Sequence, residues 1–284
     1  MYYPYFRGKQ FDLLALTALL ENDLLSRKIL PIIEPVKNSN ALKKFIALAQ
    51  QKNYLFYLIQ NPLSGDFLTE EGLRQLQAAS SEKALIIEQP IETIEVVPPL
   101  LIVHEAQPVM ISDWQEGRYK VVVPEEFRLL NKVQGEKILS QDGFTRLPKT
   151  FFYQECPDEL FSTTHLTFHK KGFLGFSDFS IDSRIYYEHS YPSKILSLHL
   201  VYFEQNILRI HHFLSSEEAP SQKEKFFELM EEVTRWLTIL CGSQVTAGLQ
   251  LLLKTAAKNK FPGMGVMRKA AVMHHMELMS RYLD

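Results

Sequence analysis

The chain has 284 residues, 46% of them apolar, enough for one large core, and its net charge of −2 gives no global basic field to draw it onto nucleic acid. Its two cysteines, Cys156 and Cys241, form no CxxC pair, which excludes a disulfide framework and a cysteine zinc knuckle. No run reaches the ~20 apolar residues of a spanning helix, and the aromatic start with Arg7 and Lys9 lacks the pattern of a signal peptide, so a cytoplasmic protein without membrane contact is expected.

The opening run Tyr2-Tyr3-Pro4-Tyr5-Phe6 reads as a strand that ends abruptly in Arg7-Gly8-Lys9. Residues 12–25 then place Leu13, Leu16, Leu20 and Leu24 on one helical face. Residues 29–34 are almost continuously apolar up to Glu34, the pattern of a parallel strand buried on both faces. Asn40 is the expected N-cap of a helix burying Leu42, Phe45, Ile46 and Ala49. Residues 54–60 form the next strand, Thr69 caps a helix carrying Leu73 and Leu76, and residues 84–87 follow as a fourth strand. These strands close on Glu34-Pro35, Asn61-Pro62 and Glu88-Gln89-Pro90, with the prolines 27 and 28 residues apart. That period holds one strand, one helix and two loops. Proline suits the closing position because it donates no ladder hydrogen bond.

The rhythm weakens afterwards. Strands are expected at residues 100–105 and 120–124, but the connections 91–99 and 106–119 leave little room for full helices. Residues 125–132 predict a short helix with Phe127 and Leu130 inward, and residues 131–167 a long irregular loop with a short helix near 158–161. Residues 172–179, ending at Asp178, and 195–203 complete eight strands, centred near residues 5, 32, 57, 86, 102, 121, 175 and 198. The last turns at Glu204-Gln205-Asn206 into a hairpin with residues 207–214. Eight parallel strands close a (β/α)8 TIM-like barrel, here irregular in its fifth and sixth units. An open doubly wound α/β sheet is the alternative, and its Gly-rich first turn is missing. The C-terminal part is helical. Ser221 and Glu224 form a capping box, and the last helix carries Met273, Met276 and Met279 at packing intervals. One domain over residues 1–284 is expected: regular repeats over 1–130, an irregular loop region over 131–167, last strands and hairpin over 168–214, and helices over 221–284.

The segments YYPYFRGKQFDLLAL, ILPIIEPVK, HLTFHKKGFLGFSDF, LHLVYF…LRIHHF and FPGMG…MHHMEL together resemble a poorly characterised bacterial family related to phage-associated "beta protein". The resemblance spans nearly the whole chain. It implies a gene in phage-defence or mobile neighbourhoods, part of a two-gene module whose neighbouring product is a partner. It carries no demonstrated chemistry.

In a β/α barrel the functional residues sit at the carboxyl ends of the strands. Those positions give Arg7, Lys9, Glu34, Lys37, Asn61, Glu88, His104, Glu105, Asp178, His199 and Tyr202. Arg7, Lys9 and Lys37 suit an anion, with Asn61 and Tyr202 as polar contacts, which points to a nucleotide or nucleic-acid phosphate. Pairing of Arg7 with Glu34 across adjacent strands is the plain structural alternative. Glu34 and Asp178, with His104 and His199, are the candidates for acid–base catalysis, and Mg²⁺ is a possible cofactor for metal-assisted phosphoester hydrolysis. A non-catalytic, partner-binding barrel is the alternative that the shortened middle and the long aromatic loop over residues 144–168 suggest. His211-His212 and His274-His275 lack the spacing of a zinc helix and read as structural. No motif identifies a reaction.

Overall fold

A computed structural model of the chain describes residues 1–88, 100–104, 119–185, 193–240 and 244–284. The expected connection 91–99, the connection 106–119 apart from Tyr119, and Glu105 lie outside the described residues. The strands in chain order are β1 Tyr5–Phe6, β2 Ile32–Ile33, β3 Tyr57–Ile59, β4 Glu82–Ile86, β5 Leu100–Ile102, β6 Lys120–Pro124, β7 Glu136–Ser140, β8 Asp158–Ser162, β9 Gly175–Ser177, β10 Ser197–Glu204 and β11 Ile207–Leu214. The helices are α1 Gln10–Glu21, α2 Asn40–Gln51, α3 Glu70–Ala78, α4 Phe127–Leu130, α5 Thr164–Thr167, α6 Gln222–Leu237, α7 Ala247–Ala257 and α8 Met264–Leu283. The chain forms two compact units, one of residues 1–13, 27–141 and 163–179, the other of residues 14–26, 142–162 and 180–284.

The first unit holds eight parallel strands in the order β1-β2-β3-β4-β5-β6-β7-β9. The ring returns to its start through a parallel bridge between Tyr2 and Phe176. The Tyr3 and Tyr5 N–H groups donate to the carbonyls of Phe176 and Asp178 at 2.8 Å, extending the same seam. This is a (β/α)8 TIM-like barrel. Its interior is filled by alternate residues of successive strands: Tyr3 and Tyr5, Leu30 and Ile32, Tyr57 and Ile59, Ala84 and Ile86, Leu100 and Ile102, Val122, Ile138 and Phe179. A strand sends every second side chain to one face. The next positions on that inner face are therefore Arg7, Glu34, Asn61, Glu88 and His104, so the apolar packing itself aims a polar layer at the carboxyl end.

Seven expected strand positions fall on barrel strands. The eighth differs. Residues 195–203 do not join the barrel, and the missing strand is β7, inside the stretch read as a loop. Glu136 and Lys137 mask its apolar core of Ile138 and Leu139, so it lacks the signal of a buried run. β10 instead pairs antiparallel with β11, and β11 with β8. The cause is the two-residue turn Gln205-Asn206, whose φ values of +48° and +68° are those of a tight hairpin. A hairpin joins antiparallel neighbours, whereas a parallel barrel strand needs a crossover. Pairing with β11 also makes a strand of residues 158–162, where a helix is expected. In α4 the inward residue is Leu129, and Phe127 is exposed.

In the second unit α6 begins with the expected capping box: Ser221 Oγ accepts the Glu224 N–H at 3.2 Å and donates to Glu224 Oε2 at 2.6 Å. Met273, Met276 and Met279 of α8 are buried, as their spacing implies. No helix among the described residues is long and apolar enough to cross a membrane.

Candidate functional site

Arg7 and Glu34 follow directly on β1 and β2, which are hydrogen-bonded neighbours. Both side chains are buried, at 8% and 4% exposure. Arg7 Nε lies 3.9 Å from Glu34 Oε2, close enough for a strong Coulomb attraction and too far for a hydrogen bond. The carboxylate is fixed by two other donors. Tyr5 Oη donates to Oε2 at 2.8 Å, and the Leu63 N–H donates to Oε1 at 2.9 Å. Burial, together with the neighbouring Glu34 charge, pushes the Tyr5 phenol well above its ordinary pKa, so it stays a donor across the physiological range.

Aromatic rings frame this pair. The Arg7 guanidinium carbon stands 5.9 Å from the centre of the Phe179 ring. His104, half-buried at the end of β5, meets the Tyr5 ring edge-on at 5.9 Å and Phe179 at 6.2 Å. Asn61, after β3, ties two strands together: its Nδ2 donates to the Ile86 carbonyl at 2.7 Å and its Oδ1 accepts the Ile86 N–H at 2.9 Å. The loops beneath are close-set. Gly65 has a φ of +97°, and a Cβ there would stand 1.8 Å from the Val36 carbonyl oxygen. Gly8, at φ +56°, would bring a Cβ to 2.9 Å from the Glu34 carbonyl oxygen. Only glycine lets these loops approach the Glu34-Pro35-Val36 backbone so closely.

The structure thus brings Arg7, Glu34, Asn61 and His104 to the inner face at one end of the barrel, with Glu88 exposed beside them. Lys9 is half-buried and Lys37 exposed, each two or three residues beyond that layer in sequence. Asp178 has the opposite parity to Phe179. It accepts a hydrogen bond from Tyr2 Oη at 2.7 Å, and the Tyr2 ring stacks on Phe176 at 4.8 Å, on the outer side of the strands. His199 and Tyr202 are not at a barrel strand end at all, because β10 belongs to the antiparallel sheet. Tyr202 Oη donates to Asp158 Oδ2 at 2.7 Å.

Sequence reasoning missed Tyr5, which reads there only as a strand residue. Its place two residues before Arg7 on one strand was the available signal. It also missed the polar residues of β8. Adjacent Asp158 and Glu159 point to opposite faces, as do His211 and His212. Asp158 gathers Tyr202, Arg209 and His211, while Glu159 meets His212. Burial opposes the Asp158 charge, but hydrogen bonds from Tyr202, His211 and Arg209 outweigh it and hold the carboxyl below its usual range. The second doublet is structural in its contacts. His274 Nδ1 meets Thr246 Oγ1 at 2.8 Å and His275 Nδ1 meets Ser180 Oγ at 2.9 Å, and burial lowers both imidazoles to about 3. Glu277 accepts the Ala247 N–H at the start of α7.

Among the described residues no group of three or more His, Cys, Asp or Glu side chains is arranged to hold a metal ion. No family model, curated protein or solved structure matches the chain.

Proposed function

We propose that the carboxyl end of the barrel binds an anionic ligand, with a nucleotide or nucleic-acid phosphate as the class it suits best. The observation that carries this reading is the buried Arg7–Glu34 pair, held by Tyr5 and the Leu63 N–H at the end of the barrel where such folds do their chemistry. Burying two charges costs several kcal/mol per ion before their attraction offsets it. A well-packed apolar pair would serve stability as well, so the retained pair favours a role in recognition. Arginine supplies a planar fork matched to phosphate oxygens, and half-buried His104, backed by the Tyr5 and Phe179 rings, supplies a ring against which a base can stack. Glu34 positions the guanidinium, and Lys9 and Lys37 add charge near the rim.

Isothermal titration of the protein with inorganic phosphate and with AMP tests this. Binding that weakens at least tenfold in Arg7→Ala, and only partly recovers in Arg7→Lys, is the expected result. Equal affinity in wild type and Arg7→Ala would overturn it. A metal-assisted phosphoester hydrolase would need Mg²⁺ to raise affinity or turnover in the same titration. The two-gene module and the neighbouring partner rest on the sequence resemblance. Co-purification with the neighbouring product, unaffected by replacing Arg7 and Glu34, would favour a non-catalytic partner-binding barrel instead.

A further inference from the structure

The antiparallel sheet carries a chain of hydrogen bonds that the barrel-end reading does not use. His199 of β10 and His212 of β11 are cross-strand partners. Their Nδ1 atoms lie 2.7 Å apart, and His212 Nε2 lies 3.1 Å from Glu159 Oε1 on β8. The tautomers follow from donor and acceptor rules. An ionised carboxylate only accepts, so His212 carries its proton on Nε2. Its Nδ1 is then a lone pair, and the short contact requires His199 to donate through Nδ1–H. His199 Nε2 is left as the acceptor at the end of the chain. Two Nδ1 atoms facing each other share a proton rather than converge on a metal ion.

The setting fits a relay. His212 is buried, while His199 and Glu159 are half-buried, so the chain runs from one partly exposed end to the other. The Tyr153 ring packs at 4.9 Å from His199 and 4.5 Å from His212, and Phe144 meets both edge-on. Burial lowers both imidazoles, His199 to about 3 with His212 and the Arg268 charge adding to the effect. Glu159 meets His212 directly, and the charges of His211 and Asp158 on the opposite face of the sheet also reach it. Neither ring carries a charge at neutral pH. Cations stand nearby: Arg146 and Arg268 share one carboxylate, Asp182, at 3.8 and 3.1 Å, and each arginine side chain keeps 29% exposure. The charge of Arg146 reaches Tyr153 and that of Arg268 reaches His199.

We propose that this face of the sheet is a proton-transfer site for a small hydroxyl-bearing oxyanion, held by Arg146 and Arg268 and deprotonated at His199 Nε2. The ligand O–H proton passes to His199 Nε2, the His199 Nδ1 proton to His212 Nδ1, and the His212 Nε2 proton to Glu159 Oε1. The ligand oxygen keeps the electron pair, and Glu159 ends as the neutral acid. Both imidazoles exchange tautomers without either holding a net charge, which suits rings that burial keeps neutral. The negative charge moves from Glu159 to the ligand, beside the two arginines. His199 is the catalytic residue of this step, and His212 and Glu159 act through it.

Nitrogen-15 NMR of the imidazoles, with inorganic phosphate as the probe, reads the relay directly. The free protein should show His199 as the Nδ1–H tautomer and His212 as the Nε2–H tautomer. Saturating phosphate should reverse both. In Glu159→Gln, which still accepts a hydrogen bond but takes no proton, phosphate should bind and leave the tautomers unchanged. Arg146→Met with Arg268→Met should weaken phosphate about tenfold or more, and these partly exposed positions keep the test open if the Glu159 variant fails to fold. Other tautomers in the free protein, no phosphate binding at millimolar concentration, or a reversal that persists in Glu159→Gln would each overturn the proposal. Nothing in this relay depends on Arg7 or Glu34.

Discussion

The two polar regions bury their charges-to-be in opposite ways. At the barrel's carboxyl end, Arg7 and Glu34 are charged and buried, and the fold offsets that with their pairing, a phenol and a backbone N–H. In the second unit, His274 and His275 are buried and His199 half-buried, and all three are held neutral, each lowered to about 3 chiefly by desolvation. The difference follows from the residue types. A guanidinium keeps its proton in any protein environment, so it must be paired where it is buried. An imidazole escapes the same cost by losing its proton.

The largest expected effect breaks the barrel side of this comparison. Glu34→Ala leaves Arg7 buried without its counter-charge and should cost about 3–5 kcal/mol in urea denaturation. The double replacement Arg7→Met, Glu34→Leu should recover most of that loss. A single variant no worse than a surface mutant would show that the pair is not truly desolvated.

Acid should break the other side. A histidine lowered in the folded state contributes stability that is complete above its unfolded pKa near 6.5. That stability drains away as pH falls toward the folded value of about 3. The three rings together should cost on the order of 10 kcal/mol across that window. Hydrogen exchange should show α8 and β10 losing protection first. Equal loss of protection in β1 to β5 over the same window would mean that the histidines do not set acid stability. At the alkaline end the order should invert. The phenols of Tyr2 and Tyr5 are raised, mainly by burial and then by the carboxylates beside them, so their contribution holds below pH ~10 and is lost above it.

Two smaller tests sharpen the comparison. Tyr5→Phe removes one donor from Glu34 and should cost about 1–2 kcal/mol, with a parallel loss of phosphate affinity at the barrel end. Unchanged affinity would show that Glu34 needs no orienting hydroxyl. Ser221→Ala removes the α6 capping box and should cost about 1 kcal/mol without touching ligand binding.

Much of the barrel end was legible because its signals are local. The apolar runs before Arg7, Glu34 and Asn61 are two or three strand turns long, and each ends at a polar residue of fixed parity. Given a parallel barrel, that parity alone puts Glu34 and His104 on the inner face. Asp178 shows the limit: it closes its run just as cleanly, yet one residue of register turns it to Tyr2 on the outer side.

The sequence by itself determined the α/β repeat, the first six strands, the hairpin turn, the capping box and the methionine face, since each depends on residues within one turn or one strand of each other. Tertiary structure alone decided which strand completed the ring, which way residues 158–162 folded, and what stood beside His199. Strand pairing is a contact between distant segments, and neither β7 nor β8 carries enough apolar residues to announce its partner. The same long-range pairing joined Glu159 to His212 across 53 positions of chain, a spacing that no local pattern encodes.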